Sequence, residues 1–253
     1  MLRRPREGGD PMAYHERRWV PAFAGTTGAE AHAVDAPGRR REMKPPFWDA
    51  AVATLTDGDA VLRGLIASHP DVHLARRGDP FTTLARAIVG QQISVKAAQS
   101  IWDRLVAATG GGGTPVALDP ARVGRTRMPT LRRVGLSERK ALYVRDLARH
   151  FLSGALDAHE WPALPDEGLI ERLCAVKGIG RWTAEMFLIF HELRPDVLPV
   201  DDIGLQKAVA LHYHDGERMT PAALHAFGER WRPWRSAATW YLWRSLDPIP
   251  VEY

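Results

Sequence analysis

The chain has 253 residues, enough for one large domain or two small ones, and its 45% hydrophobic and 25% charged content is ordinary for a globular protein. Its single cysteine, Cys174, excludes a disulfide framework and a four-cysteine iron–sulfur cluster, and no apolar run reaches the roughly 20 residues that cross a bilayer. A formal net charge of +4 and a pI near 9.4 weakly favour a polyanionic partner.

Residues 1–42 show neither helical nor strand periodicity. Arginine pairs and a triplet alternate there with glycine, proline and acids, which predicts a disordered basic arm. The phrase ERRWVPAFAGTTG in this arm resembles a translated bacterial intergenic repeat, so the alternative is a mis-annotated extension ahead of a true start at Met43. We expect the folded core to cover residues 43–253.

From Phe47 onward, apolar residues recur at helical spacing, and no convincing strand pattern of period two occurs. Serine, threonine and aspartate caps, two of them followed by proline, mark where several helices begin. The predicted helices cover 49–68, either as one helix or with a break at Asp57-Gly58, then 80–109 with a break near Gly90, a short stretch from Pro120, 138–152 after Ser137, 167–174 after Asp166, a stretch from Pro221, and 235–246. The predicted fold class is therefore all-α.

Residues 173–190, LCAVKGIGRWTAEMFLIF, predict two helices joined by a tight turn at Gly178-Ile179-Gly180. Two glycines allow a turn too tight for a Cβ atom, while Ile179 fills the core beneath it. We expect unpaired backbone N–H groups from Gly178 to Arg181 at a helix N-terminus, where the helix dipole favours a phosphate. The alternative is an ordinary helix–helix turn.

About twenty residues further on, Asp201 and Asp202 stand between Val200 and Ile203. Alone, such a pair most often caps a helix. Four segments nevertheless occur together in order: FTTLARAIVGQQISVKAAQSIW, LCAVKGIGRWTAEMFL, VLPVDDIGLQKAV and ERWRPWRSAATWYLW. They resemble the DNA-3-methyladenine glycosylase II family, within the helix-hairpin-helix DNA glycosylase superfamily, from about Phe47 to Asp247.

The resemblance implies two helical subdomains with the active-site cleft between them, in a short form that lacks the N-terminal mixed α/β domain of long members. It implies that Asp202 is the catalytic carboxylate, whereas Asp201 caps the helix or contacts backbone. Bifunctional relatives carry a nucleophilic lysine two residues after the second hairpin glycine. Trp182 occupies that position here, and an indole cannot form a Schiff base, so we expect no β-lyase activity.

The resemblance also implies a pocket for the extruded base. Trp182 and Trp243 correspond to aromatic residues that would stack on a cationic base, and Gln91 corresponds to a residue near the pocket. Met186 stands where long members have a tyrosine, which makes the pocket less polar and leaves the substrate range open. Core packing is the alternative for each tryptophan.

Further residues are expected to contact DNA. Gln92 occupies the position of a leucine that long members insert into the vacated gap, and Ile93 is the alternative apolar wedge. Backbone and side chains around the hairpin are expected to grip phosphate: Lys177, Gly178, Gly180, Arg181 and Thr183. For Lys177 a solvated loop lysine is an equal alternative.

The superfamily hairpin often holds a monovalent cation, Na or K, through backbone carbonyls. By position these are the carbonyls of Cys174, Val176 and Ile179. No other cofactor is expected, because the histidines show no transition-metal spacing.

The sequence thus predicts a monofunctional DNA glycosylase that excises alkylated purines of the 3-methyladenine and 7-methylguanine type from double-stranded DNA in base excision repair. Two alternatives remain: the same fold acting on hypoxanthine or uracil, and a non-catalytic module that binds DNA damage. We expect a monomer in the bacterial cytoplasm, associated with the nucleoid.

Overall fold

The computed structural model describes residues 44–76, 78–111 and 117–246, and no β-strand occurs in these ranges. The all-α prediction is therefore confirmed. The helices are α1 (Trp48–Gly58), α2 (Ala60–Ser68), α3 (Pro80–Gly90), α4 (Val95–Thr109), α5 (Pro120–Arg125), α6 (Met128–Arg133), α7 (Glu138–Leu152), α8 (Asp166–Cys174), α9 (Arg181–Phe190), α10 (Ile203–Tyr213), α11 (Pro221–Gly228) and α12 (Arg235–Arg244), with 3-10 turns at Trp161–Ala163 and Glu229–Trp231. The predictions for residues 1–42 and for Met43 lie outside the described residues.

Helix starts follow the capping signals closely. Ser137 accepts a hydrogen bond from the Lys140 N–H at the start of α7, and Thr220 does the same for Ala223 at the start of α11. Asp166 was expected to cap α8, but it is the first residue of that helix and its side chain makes no cap bond. Its carboxylate instead pairs with Arg194 at 3.2 Å.

The predicted first helix is divided in two, with α1 ending at Gly58 where the break at Asp57-Gly58 was considered. Asp59 breaks it, because its side chain accepts hydrogen bonds from the N–H groups of Val61 and Leu62 and so caps α2. The same carboxylate accepts the Tyr213 hydroxyl at 2.9 Å and the Trp231 indole N–H at 3.2 Å. The corner between α1 and α2 is thereby attached to the C-terminal helices.

The helices pack in two groups. Helices α3 to α9 pack mainly on one another, with α7 against α3, α5 and α6, whereas α1 and α2 return to pack with α12, which also contacts α10. One continuous set of buried apolar side chains joins the two groups. The segment that follows α9 leads directly to α10. At the junction between the two helix groups, α9, α10 and α12 therefore come together. No helix among the described residues is long and apolar enough to span a membrane.

Candidate active site

Asp202 lies at the junction of the two helix groups and is completely buried, with 0% of its surface exposed. It is the N-cap of α10, since its Oδ1 accepts the Leu205 N–H at 2.7 Å. Capping was the alternative explanation for this acid, and the structure shows that it does cap. The neighbouring Asp201 is exposed.

Two indole rings aim their N–H groups at the Asp202 carboxylate. The Trp182 Nε1–H, from α9, donates to Oδ2 at 2.8 Å, and the Trp243 Nε1–H, from α12, donates to Oδ1 at 2.8 Å. Three helices thus meet at one carboxylate, and the residues that the sequence analysis singled out from three separate segments are brought together.

The electrostatic setting of Asp202 is unusual for a buried acid. Burial raises the pKa of its carboxyl group, and the hydrogen bonds from Leu205, Trp182 and Trp243 act in the opposite direction. Among the described residues, no lysine, arginine or histidine forms a salt bridge with it. Neutral donors orient the carboxylate without cancelling its negative charge. This charge can therefore stabilise a positively charged group in the site.

The expected pocket residues differ in their surroundings. Trp182 is half-buried, while Trp243 is 7% exposed and has one face stacked on Phe190, with ring centroids 5.7 Å apart and an interplanar angle of 15°. Trp243 is therefore largely packed within the core. Met186 was expected to line the pocket, but it is fully buried in the core at 0% exposure.

The hairpin turn uses its two glycines differently. Gly178 has φ +87°, and a Cβ atom there would lie 2.1 Å from Cδ2 of Tyr143, so only glycine fits. Gly180 was also expected to be too tight for a Cβ, but it is extended, with φ −96°, and a Cβ would meet nothing within 4 Å. Ile179 is 4% exposed and fills the core, as predicted.

The hairpin N–H groups were expected to be unpaired from Gly178 to Arg181. The Ile179 N–H instead donates to the Val176 carbonyl at 3.1 Å, which closes the turn. Two residues before Ile179, the Lys177 N–H donates to the Asp146 carboxylate at 2.9 Å, and the Lys177 side chain is exposed.

Arg181 and Thr183, which were predicted to contact DNA, lie in different surroundings. The Arg181 guanidinium makes two hydrogen bonds to the Glu167 carboxylate, one of 2.9 Å from Nη2, and a third to Glu185 at 3.0 Å. Hydrogen bonding with Glu167 raises the pKa of Arg181, while burial raises the pKa of Glu185 to about 7. Two carboxylates therefore already occupy the guanidinium, and Thr183 is buried at 6% exposure.

The turn between α3 and α4 (Gln91 to Ser94, hereafter the wedge loop) projects from the surface. Gln92 is exposed with φ +57°, a left-handed conformation uncommon for residues other than glycine, and Ile93 is 38% exposed. Val95, which the sequence analysis did not single out, is 53% exposed beside them. Gln91 was expected near the base pocket, but its Nε2 donates to the Gly178 carbonyl at 2.8 Å and so joins the wedge loop to the hairpin.

Comparison with known proteins agrees with this geometry. Residues 85–233 match the family described as HhH-GPD superfamily base excision DNA repair protein. The DNA-3-methyladenine glycosylase 1 of Schizosaccharomyces pombe is 32% identical over 182 residues, which cover 72% of this chain and 78% of that one. A putative DNA-3-methyladenine glycosylase of Bacillus subtilis is 30% identical over 212 residues, covering 82% and 74% of the two chains.

Solved structures show the same fold. The crystal structure of a DNA-3-methyladenine glycosidase from Bacillus halodurans has a TM-score of 0.72 and 37% identity, covering 80% of this chain and 92% of that one. The Schizosaccharomyces pombe 3-methyladenine DNA glycosylase in complex with abasic DNA has a TM-score of 0.67 and 29% identity, covering 81% and 100%. On the match of fold, motif order and sequence, this chain belongs to the HhH-GPD superfamily of base excision DNA repair proteins.

Proposed function

We propose that this protein is a monofunctional DNA glycosylase that extrudes alkylated purines, of the 3-methyladenine and 7-methylguanine type, from duplex DNA and hydrolyses their N-glycosidic bond. The observation that carries the proposal is Asp202, a buried carboxylate held by two indole N–H groups and a backbone N–H without a cationic partner among the described residues. Such a group stabilises positive charge that develops during a reaction.

The chemistry follows from the charge of the substrate. Alkylation at N3 or N7 makes the purine cationic, so the C1′–N bond can break with its electron pair moving to the base, which leaves neutral without a proton donor. The deoxyribose then carries oxocarbenium-like charge that Asp202 stabilises. Water adds to C1′ and releases a proton, which yields the free base and an abasic site. No lysine stands at position 182 to replace water as the nucleophile.

The aromatic residues favour a cationic base over an undamaged one. The electron-rich face of an indole attracts a cation more strongly than a neutral ring, and Trp182 lies half-buried with its N–H on the catalytic carboxylate. An extruded base that reaches Asp202 therefore passes this ring. Because Met186 is buried, it gives no reason to prefer a different damaged base.

The proposal also includes a monovalent cation at the hairpin. The carbonyls of Cys174, Val176 and Ile179 would hold a sodium or potassium ion, which would supply positive charge for a DNA phosphate. Cys174 ends α8, where a carbonyl lacks an intrahelical partner, and carbonyl oxygens can replace the hydration shell of such ions.

We further propose that the enzyme acts as a monomer on the DNA of the bacterial nucleoid in the cytoplasm.

The test compares the wild type with Asp202→Asn and with the exposed neighbour variant Asp201→Asn as the matched control. On methylated duplex DNA we expect Asp202→Asn to lower the single-turnover release of methylpurines by about 100-fold or more, because the charge is lost while the cap oxygen stays. Duplex binding at fixed salt should be retained. Asp201→Asn should stay within about threefold of the wild type, as a surface change.

Two results would contradict the proposal. Methylpurine release by Asp202→Asn at the wild-type rate would remove Asp202 from the chemistry. A wild type that binds methylated duplex DNA but releases no base and forms no abasic site would exclude excision of alkylated purines.

A further inference from the structure

Helix α7 contacts both of the loops that would meet DNA. Three of its side chains, Lys140, Tyr143 and Asp146, are spaced three residues apart, so they follow one edge of the helix. All three are partly exposed, whereas Ala141, Val144, Leu147 and Ala148 of the same helix are buried in the core. This edge therefore lies at the margin of the core and faces the wedge loop and the hairpin.

Lys140 holds the wedge loop. Its Nζ donates to the Val89 carbonyl at 2.8 Å and to the Gln91 carbonyl at 2.6 Å. Val89 is in the last turn of α3, where carbonyls lack intrahelical partners and the helix dipole favours a cation. The bond to Gln91 fixes the peptide directly before Gln92, the residue in the left-handed conformation.

Tyr143 and Asp146 hold the hairpin. The Tyr143 ring lies against the bare Cα of Gly178, at the distance where a Cβ would collide with it. The Asp146 carboxylate accepts the Lys177 N–H at 2.9 Å. The Gln91 side chain, bonded to the Gly178 carbonyl at 2.8 Å, then closes a ring of contacts from α7 through the wedge loop to the hairpin and back to α7.

We propose that this edge of α7 fixes the position of the wedge loop relative to the hairpin during base extrusion, with Lys140 as the positioning residue. The proposal rests on the proposed function, because it assigns the wedge loop to the gap that the extruded base leaves. Filling that gap while the hairpin grips the same duplex requires the two loops at one fixed separation. A loop released from Lys140 would still fold and still reach DNA, but it would fill the gap less often.

The substitution Lys140→Met removes the ammonium and keeps the apolar stem, whereas Lys140→Arg keeps the cation. The control Lys44→Met changes an exposed lysine that pairs with Asp49. Single-turnover excision is measured for one lesion in two duplexes, paired normally or placed in a mismatch that already weakens pairing. We expect Lys140→Met to be slower by about 10-fold to 100-fold on the paired lesion, since small misplacements have effects of that size. On the mismatched lesion, where extrusion costs less, most of that loss should disappear.

Lys140→Arg should recover most of the rate on the paired lesion, and Lys44→Met should match the wild type on both duplexes. A merely structural role would slow excision equally on the two duplexes. Equal losses, or no loss, would overturn the proposal.

A second measurement does not depend on excision. Duplex DNA with an abasic-site analogue and 2-aminopurine opposite it reports, by fluorescence, whether the wedge loop enters the gap. We expect the wild type to change the fluorescence at saturating protein and Lys140→Met to lose most of that change while still bound. If the wild type inserts its loop but excises no methylpurine, the proposed function fails and this inference stands. An unchanged fluorescence response in Lys140→Met would overturn the inference alone.

Discussion

At the residue level, Asp202 combines full burial with a charge that the described residues do not neutralise. Burying a carboxylate is costly, and hydrogen bonds to charged groups, each worth about 1.5–3 kcal/mol, offset part of that cost. Here the donors are the Leu205 N–H and the indoles of Trp182 and Trp243. The two tryptophans therefore act directly on the carboxylate.

The substitution Trp182→Phe should make this effect visible. It keeps an aromatic face but removes one donor to Asp202, and a lost donor leaves the charged form less stable, so the pKa of Asp202 rises further. In the proposed mechanism the ionised form is the active one, so excision should be lost as pH falls through that pKa. The midpoint of this loss in the pH profile of kcat/KM should move upward by about one unit.

Trp234→Phe is the matched control, because Trp234 stacks on Phe47, away from Asp202, and it should leave the midpoint unchanged. If Trp182→Phe lowers the rate without moving the midpoint, the indole N–H does not stabilise the charge of Asp202.

At the level of the element, the hairpin depends on two glycines for different reasons. Gly178 is confined by its positive φ and by the Tyr143 ring, while Gly180 presents an open surface at the start of α9. Gly178 is therefore required for the fold of the turn. Gly180 leaves the hairpin bare on the side where a DNA backbone would approach.

Alanine at each position separates these roles. Gly178→Ala should lower the free energy of unfolding by about 2–4 kcal/mol, through the left-handed backbone and the clash with Tyr143. Gly180→Ala should change it by no more than about 0.5 kcal/mol but weaken duplex binding. Urea denaturation and binding at fixed salt measure the two effects. Wild-type duplex affinity in Gly180→Ala would show that the bare surface is not used.

At the level of the whole molecule, Asp59 connects the N-terminal helices to segments that are far away in the chain. This residue caps α2 and accepts hydrogen bonds from Tyr213 and Trp231, which follow it by 154 and 172 positions. The N-terminal helices are thereby fixed to the group that contains α10 and α12, and so to the frame around Asp202.

Removing this carboxylate should weaken the whole fold. Asp59→Ala loses the cap of α2 and leaves the Tyr213 hydroxyl and the Trp231 N–H without their partner, so we expect the free energy of unfolding to fall by about 3 kcal/mol. Urea denaturation followed by tryptophan fluorescence measures the loss. The exposed Asp57→Ala should differ little from the wild type; equal stability of the two variants would show that Asp59 does not fasten the N-terminal helices to the C-terminal ones.

Local features of the fold and of the site were predictable from the sequence. Capping residues such as Ser137 and Thr220 act within three positions, so the sequence alone locates helix starts. The order of motifs likewise pointed to Asp202 and Trp182, which the structure places in direct contact. Spacing in one segment could not show that Trp243 would donate to the same carboxylate from 41 positions away.

The sequence by itself determined the helical class and the hairpin turn, because periodicity, capping and glycine conformation are local properties, whereas the carboxylate that follows was identified through the family resemblance. Only the tertiary structure decided which polar groups are free. Arg181 pairs with Glu167, and Gln91 reaches Gly178 across 87 positions. Likewise, only the tertiary contacts show that one edge of α7 holds both the wedge loop and the hairpin. Whether a cation or an N–H group can meet DNA depends on neighbours that are distant in the chain, and packing alone brings them together.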